Sequence, residues 1–292
     1  VGSLEGRVAI VTGAGRGLGR AHALLLAAEG ARVVVNDLGA GLDGSGSDPG
    51  PAAAVAAEIG AAGGEAIASG EDCADWEGGR RLVELAVDTF GALHVLVNNA
   101  GILRDRALVN MDEATWDEVV RVDLKGHVAP IRHAAAYWRG ISRSGRAAEA
   151  SVVNTTSTSG LAGNPGQSHY GTAKAGIAAL TVIAAQELFH YGVRVNAITP
   201  AARTRMTETA PGLAQLVRPP ADPELFDSWD PANVSPLVAY LATAACPVSG
   251  RVFSIWGGSL QLFEPWRAAG TIEKKGRFTV EELAEAVPAL LR

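Results

Sequence analysis

Residues 8–20, VAIVTGAGRGLGR, decide the fold. An unbroken apolar strand runs into a glycine-rich turn at Thr12–Gly19, and the turn opens the Ala/Leu-rich segment LGRAHALLLAAEG (18–30). A strand that is apolar on both faces and passes straight into a helix predicts a parallel sheet covered on both sides. Glycines at such a turn let the backbone approach a pyrophosphate, whose charge then meets a helix N-terminus. Gly13, Arg16, Gly17, Leu18 and Gly19 are therefore the first candidate cofactor contacts. The next strand, ARVVVND (31–37), ends in Asp37. A carboxylate there accepts hydrogen bonds from ribose hydroxyls and repels a 2′-phosphate, which favours NAD over NADP. Arg16 argues the other way, because a base in the glycine loop can pair with that phosphate.

The rest of the chain continues this rhythm. Apolar runs recur at EAIAS (65–69), LHVLVN (93–98), SVVNTT (151–156), VRVNAIT (193–199) and RVFSIW (251–256), with helical segments between them. Gly30, Gly63 and Gly91 close helices. The expectation is α/β: a doubly wound parallel sheet of about seven strands in a single domain over 1–262. Three segments break the pattern. GAGLDGSGSDPGP (39–51) is a loop, and 200–232 reads as a flap over a site. Residues 263–292 form a tail with a basic patch (Arg267, Lys274, Lys275, Arg277) and a short helix from Thr279, where Glu282 completes a capping box.

Composition narrows the function. The 292 residues are 48% hydrophobic and 19% charged, as in globular proteins, and the net charge of −6 provides no footprint for nucleic acid or an anionic membrane. Two cysteines, Cys73 and Cys246, make no disulfide framework, and the six histidines form no HExxH-type metal motif. No apolar run approaches the roughly 20 residues of a membrane span. The first strand begins too early to leave room for a signal peptide. These readings predict a cytoplasmic protein with a small-molecule substrate, no metal, and neither a nucleic-acid nor a membrane partner.

Two further stretches lie where such a sheet holds a dinucleotide. After the third strand, Asp72 and Cys73 can bracket an adenine with a carboxylate and a backbone N–H. Asp72 can equally cap the helix that starts near Asp75. After the fourth strand comes Asn98–Asn99–Ala100–Gly101, where the small residues leave space for a cofactor and the asparagines suit bracing of adjacent strands.

Together TGAGRGLG (12–19), NNAG (98–101), Ser157 and YGTAK (170–174), in this order and spacing, resemble the short-chain dehydrogenase/reductase family over about residues 4–262. VVVNDLGA (33–40) with its long loop, NNAGILRDR (98–106) and GNPGQSHYGTAKAG (163–176) further resemble the dehydrogenase unit of peroxisomal multifunctional enzyme type 2. That resemblance implies oxidation of a (3R)-hydroxyacyl-CoA, or of a hydroxysteroid, with NAD. It also implies a homotetramer, or at least a dimer, through the helices holding Trp116–Tyr137 and Ser168–Tyr191. The ending Leu290–Leu291–Arg292 is not a peroxisomal address.

The chemistry follows from the residue types. Moving a hydride between an alcohol carbon and nicotinamide leaves one proton, which needs a general acid/base. Tyr170 and Lys174 lie four apart, on one face of a helix, and the ammonium favours the phenolate. Ser157 follows a strand and can donate a hydrogen bond to the substrate oxygen. Lys174 also suits the nicotinamide ribose, and His169 reads as a wall of the pocket. The family usually has an asparagine where this chain has Asp123, so Asp123 is a candidate helper. Where the family continues with glycine after Pro200, this chain has Ala201–Ala202–Arg203–Thr204. Backbone groups of Pro200 and Arg203 are then expected at the carboxamide and Thr204 at the pyrophosphate, with an acyl-CoA phosphate as the other use of Arg203 and Arg205. An NADPH-dependent ketoreductase of fatty-acid or polyketide synthesis is the alternative enzyme. An NAD-binding sensor without turnover is the alternative outside enzymes, against which the set Ser157, Tyr170 and Lys174 argues.

Overall fold

A computed structural model describes residues 2–41, 46–209, 212 and 214–291. Positions 42–45 of the expected loop, 210, 211 and 213 of the expected flap, and Arg292 lie outside the described residues. The chain divides into a unit of Val1–Leu262 and a unit of Phe263–Arg292.

In the first unit β1 (Val8–Thr12), α1 (Gly17–Ala28), β2 (Arg32–Asn36), α2 (Gly50–Ala61), β3 (Ala66–Ser69), α3 (Trp76–Phe90) and β4 (Val95–Asn98) alternate. Then come α4 (Glu113–Val119), a π-helical segment Val120–Lys125, α5 (Gly126–Arg143), β5 (Ala150–Thr155), α6 (Thr158–Ala162), α7 (Ser168–Leu188) and β6 (Val193–Pro200). The last elements are α8 (Arg205–Thr209), α9 (Ser235–Ala242), β7 (Val252–Trp256) and β8 (Ser259–Phe263). The strand order β3-β2-β1-β4-β5-β6-β7-β8 reverses direction between β1 and β4, the place where doubly wound sheets hold their ligands.

Alternation explains why the strands read as continuous apolar runs. Ala9, Val11, Val33 and Val35 join one core with α1, α2 and α9, whereas Val8, Ile10 and Val34 join a second core with α3, α5 and α7. Both faces are covered, so every position is apolar. Seven strands were expected, and an eighth is present. β8 returns antiparallel from β7 through Gly257–Gly258, with Gly257 at φ +51°. Its residues Ser259 to Leu262 are exposed, so SLQLF carries no burial pattern to betray it.

One expectation needs correction. Ser168–Tyr191 is long and apolar enough, by length and composition, to cross a membrane. Its Ile177, Ala178, Thr181, Ala184 and Leu188 are instead buried in the protein, and a helix whose apolar side packs on a core meets the same criteria of length and composition.

The second unit contains α10 (Val280–Leu290), and the capping box of Thr279 and Glu282 is present. Lys274 pairs with Glu282 and lies 5.4 Å from the Phe278 ring, while Arg267 pairs with Glu264, so part of the basic patch is neutralised locally.

Candidate active site

The turn after β1 owes its shape to what a side chain would strike. Gly13 has φ +63°, and a Cβ there would lie 2.8 Å from Ala100 Cα. A Cβ on Gly19 would lie 2.2 Å from the Gly13 carbonyl oxygen. The turn therefore folds onto NNAG, and Asn99 holds it there. Asn99 Nδ2 donates to the Thr12 and Gly13 carbonyls, and the Asn99 and Ala100 N–H groups donate to Thr12 Oγ1. Asn99 thus contributes a brace, and Asn98 another through Asn154.

Asp37 faces the same turn. Its two oxygens accept from Gly15 N (2.8 Å) and Gly39 N (2.7 Å), and each keeps a lone pair for a further donor. No side chain caps the first turn of α1, so its N–H groups remain for an anion, and Arg16 beside them is exposed. Leu18 packs against the core. Thr204 stands opposite: its Cγ2 lies 3.5 Å from where a Cβ on Gly17 would be. An uncapped helix end, a cradle bounded by Gly17 and Thr204, and a carboxylate at the strand end together fit a dinucleotide.

Two expected contacts change. The cap of α3 is Asp75, which accepts from Gly78 N, whereas Asp72 accepts from Ala74 N and pairs with Arg121 at 2.7 Å. Beside it Cys73 is buried, and burial, then Asp72, pushes its thiol up to about 12, so the side chain is a neutral thiol. Arg203, just past Pro200, donates its N–H to Trp229 O, and its guanidinium binds Asp227 and Val217 O. Arg203 is a strut inside the flap, engaged by both its backbone N–H and its charge. Arg205 is exposed on α8.

At the other end, two glycines let α6 sit directly on α7. A Cβ on Gly160 would lie 2.5 Å from Ala175 N, and one on Gly171 2.9 Å from Ser159 O. This contact brings Ser157, the N-cap of α6, close enough to Tyr170 to favour its phenolate. Lys174 follows one turn later, its Nζ 5.4 Å from the Tyr170 ring centroid. That Nζ donates to Thr155 O at 3.0 Å and pairs with Asp123 Oδ1 at 2.9 Å. Asp123 sits in the π-helical segment, and its Oδ2 accepts from Ile102 N. A Cβ on Gly101 would strike Asp123 Oδ1 at 2.6 Å. The glycine of NNAG therefore makes room for an ion pair, a role the sequence did not suggest.

Lys174 and Asp123 are buried, at 2% and 0% exposure. Burial pulls the ammonium down, but Asp123 and Tyr170 outweigh it and hold Lys174 above its ordinary value. Burial pushes Asp123 up against the opposing pull of Lys174. Tyr170 is raised above 10: burial raises it most, Lys174 lowers it, and Asp123 raises it again. The lysine is placed to favour the phenolate, as expected, but the chain's own groups leave Tyr170 protonated. His169 and His127 are fully buried beside this cluster, and the ring nitrogens of His169 have no partner among the described residues. His127 is held neutral by burial and by Lys174. A lone histidine on an apolar helix gave no signal of its closeness to Lys174. Among the described residues, no group of three or more acidic, histidine or cysteine side chains could hold a metal.

A parallel sheet with its glycine turn and uncapped helix at the reversal, and a Ser–Tyr–Lys set across from it, define a nucleotide-dependent oxidoreductase. The short chain dehydrogenase family matches residues 7–212, and the chain belongs to that family. It is an enzyme, a dehydrogenase that works with a nicotinamide cofactor on a small molecule. The chain is 45% identical to hydroxyacyl-CoA dehydrogenase ChsB1 of Mycobacterium tuberculosis over 269 residues, 90% of this chain and 81% of that protein. It is 39% identical to peroxisomal multifunctional enzyme type 2 of Mus musculus over 273 residues, 93% of this chain but 34% of that larger protein. A crystal structure of a short chain dehydrogenase from Mycobacterium avium superposes with a TM-score of 0.88 at 50% identity, covering 99% of this chain and 96% of the other.

Proposed function

We propose that the enzyme oxidises a 3-hydroxyacyl-CoA thioester with NAD, with Tyr170 as general base. The observation that carries this reading is the Ser157–Tyr170–Lys174 set, with Lys174 beside Gly101 and the glycine turn folded onto the same Asn98–Gly101 stretch. The relative named as a hydroxyacyl-CoA dehydrogenase supports the substrate class. A hydroxysteroid is the other secondary alcohol to test.

A bound NAD supplies the hydride acceptor, and its positive charge favours a nearby phenolate. The first turn of α1 at Gly17–Gly19 and Thr204 would hold its pyrophosphate, Asp37 its adenosine ribose, and Lys174 its second ribose. Ser157 donates to the substrate oxygen and orients it toward Tyr170. Lys174 stabilises the phenolate of Tyr170, which takes the hydroxyl proton as the carbonyl forms and so becomes neutral. Asp123 keeps Lys174 protonated and in place, at the expense of raising Tyr170.

A panel of (3R)- and (3S)-hydroxyacyl-CoAs, hydroxysteroids and simple secondary alcohols, followed by NADH absorbance, tests the substrate. Turnover of the (3R)-thioesters is expected, and turnover of simple alcohols alone would sink the reading. For the cofactor, Asp37→Asn keeps shape and removes charge. It is expected to raise the NADP-to-NAD ratio of kcat/KM by about tenfold, the scale of one charged hydrogen bond. A parent enzyme that already prefers NADPH would favour the ketoreductase alternative.

Asp123→Asn tests the helper. The carboxylate raises Tyr170, so removing it lowers Tyr170. Oxidation needs the deprotonated tyrosine, so activity rises with pH through that group. The rising limb should move to lower pH in the variant. A limb that stays put would remove Asp123 from the mechanism. Exposed Ile183 and Phe189 at α7 and beyond it support an association of subunits there, and light scattering at several concentrations checks for a dimer or tetramer.

A further inference from the structure

Gln167 stands immediately before α7, in the N-cap position, yet its side chain does not cap the helix. It is buried at 8% exposure and turned toward two other segments. Its Nε2 donates to Asp105 Oδ1 at 2.9 Å, and its Oε1 accepts from Ser159 Oγ at 2.7 Å. The orientation of the amide is settled by chemistry. An ionised Asp105 can only accept, so the NH₂ must face it and the carbonyl must face Ser159.

The same place is tied by backbone. Arg106 N donates to Gly166 O at 2.8 Å, and Arg106 bridges Gln167. Ser159 in turn donates its N–H to Ser157 Oγ at 3.2 Å. With that lone pair engaged, the Ser157 hydroxyl proton is free to point elsewhere. A single neutral amide thus fastens three segments: the loop after β4, the turn carrying Ser157, and the start of the helix carrying Tyr170. That loop continues into Leu108 and Val109, which are 68% and 91% exposed.

We infer that Gln167 is a positioning residue that holds Ser157 for the reaction by bridging Asp105 to Ser159. The inference rests on the proposed roles of Ser157 and Tyr170. Only a side chain that donates on one side and accepts on the other serves here. Glutamate still accepts from Ser159, but it sets a carboxylate against Asp105. Asparagine at 105 cures that clash, because its amide donates to the glutamate.

The test compares the parent, Gln167→Glu, and Gln167→Glu with Asp105→Asn. Gln167→Glu is expected to lower kcat by about 30-fold, the scale of a small misplacement of a reacting group, with the KM for NAD unchanged. The double variant should return to within about threefold of the parent. In parallel, amide exchange at Ser159 and Gly160 should quicken about tenfold in the single variant and recover in the double. An unchanged kcat in the single variant, or no recovery in the double, overturns the inference. Should Gln167→Glu not fold, Ser159→Ala removes the inner half of the bridge and should lower kcat about tenfold. No change there overturns it too. Failure of the underlying reading looks different, because Tyr170→Phe would then keep its activity. The exchange measurement, which needs no substrate, would still show whether Gln167 holds the turn, and unchanged exchange would overturn the bridge.

Discussion

Tyr170→Phe lowers kcat/KM for the alcohol by about 10³-fold, within the range for loss of a general acid/base. The ring remains, so the packing on α7 and the 5.4 Å approach of Lys174 Nζ to it are preserved. The only group removed is the hydroxyl of a half-buried side chain. Stability should therefore change by no more than about 1 kcal/mol, the net worth of one hydrogen bond. NADH binding, followed by fluorescence, should stay within about twofold, which corresponds to less than 0.5 kcal/mol. This combination separates an enzyme from a sensor. A variant that keeps a tenth or more of the parent's turnover would remove Tyr170 from the chemistry. A variant that loses turnover while every cellular role persists would favour sensing.

Lys174→Met has the second large effect, and it acts on stability as well as rate. The methionine fills much of the space but leaves Asp123 buried and without its cation. Removing one member of a buried ion pair costs about 3–5 kcal/mol. Ile102 N–H is the hydrogen bond that remains to the carboxylate, and it does not replace a full charge. The loss must depend on pH with a definite sign. Burial raises Asp123 in the folded state above its ordinary 3.8. The variant's deficit is therefore small at pH below that ordinary value. It grows as pH rises through the raised folded value, because the unfolded chain gives up its proton first. Urea titrations at acidic and neutral pH should show this divergence. Adding Asp123→Asn removes the buried charge and should restore most of the stability, while activity stays low because Tyr170 has lost its cation. If the single variant were as stable as the parent at neutral pH, the ion pair would not be holding the site together.

Much of the fold was legible because its signals are local. Burial on both faces makes β1 and β2 continuous apolar runs, and helix ends such as Gly91, at φ +79°, announce themselves by stereochemistry. β8 escaped because an exposed strand after a two-glycine turn follows no burial rule. Around the site, Tyr170 and Lys174 were paired by helical spacing alone. Asp75 displaced Asp72 as the cap of α3, since both residues have the right chemistry and only the chain's path chooses between them. Arg203 looked available because its partners, Trp229 and Asp227, lie more than 20 residues downstream in a flap without periodicity.

The sequence by itself determined the doubly wound sheet, the glycine turn with Asp37 beside it, and the Tyr–Lys pair. Each depends on residues within a few positions or on a repeated burial pattern. The tertiary structure alone decided that Asp123 is the partner of Lys174, that Gly101 is small to admit them, and that Gln167 joins Asp105 to Ser159. Most of these contacts join residues far apart in the chain. They exist because parallel strands carry their following loops to one edge of the sheet, and no spacing along the sequence records which side chains then meet.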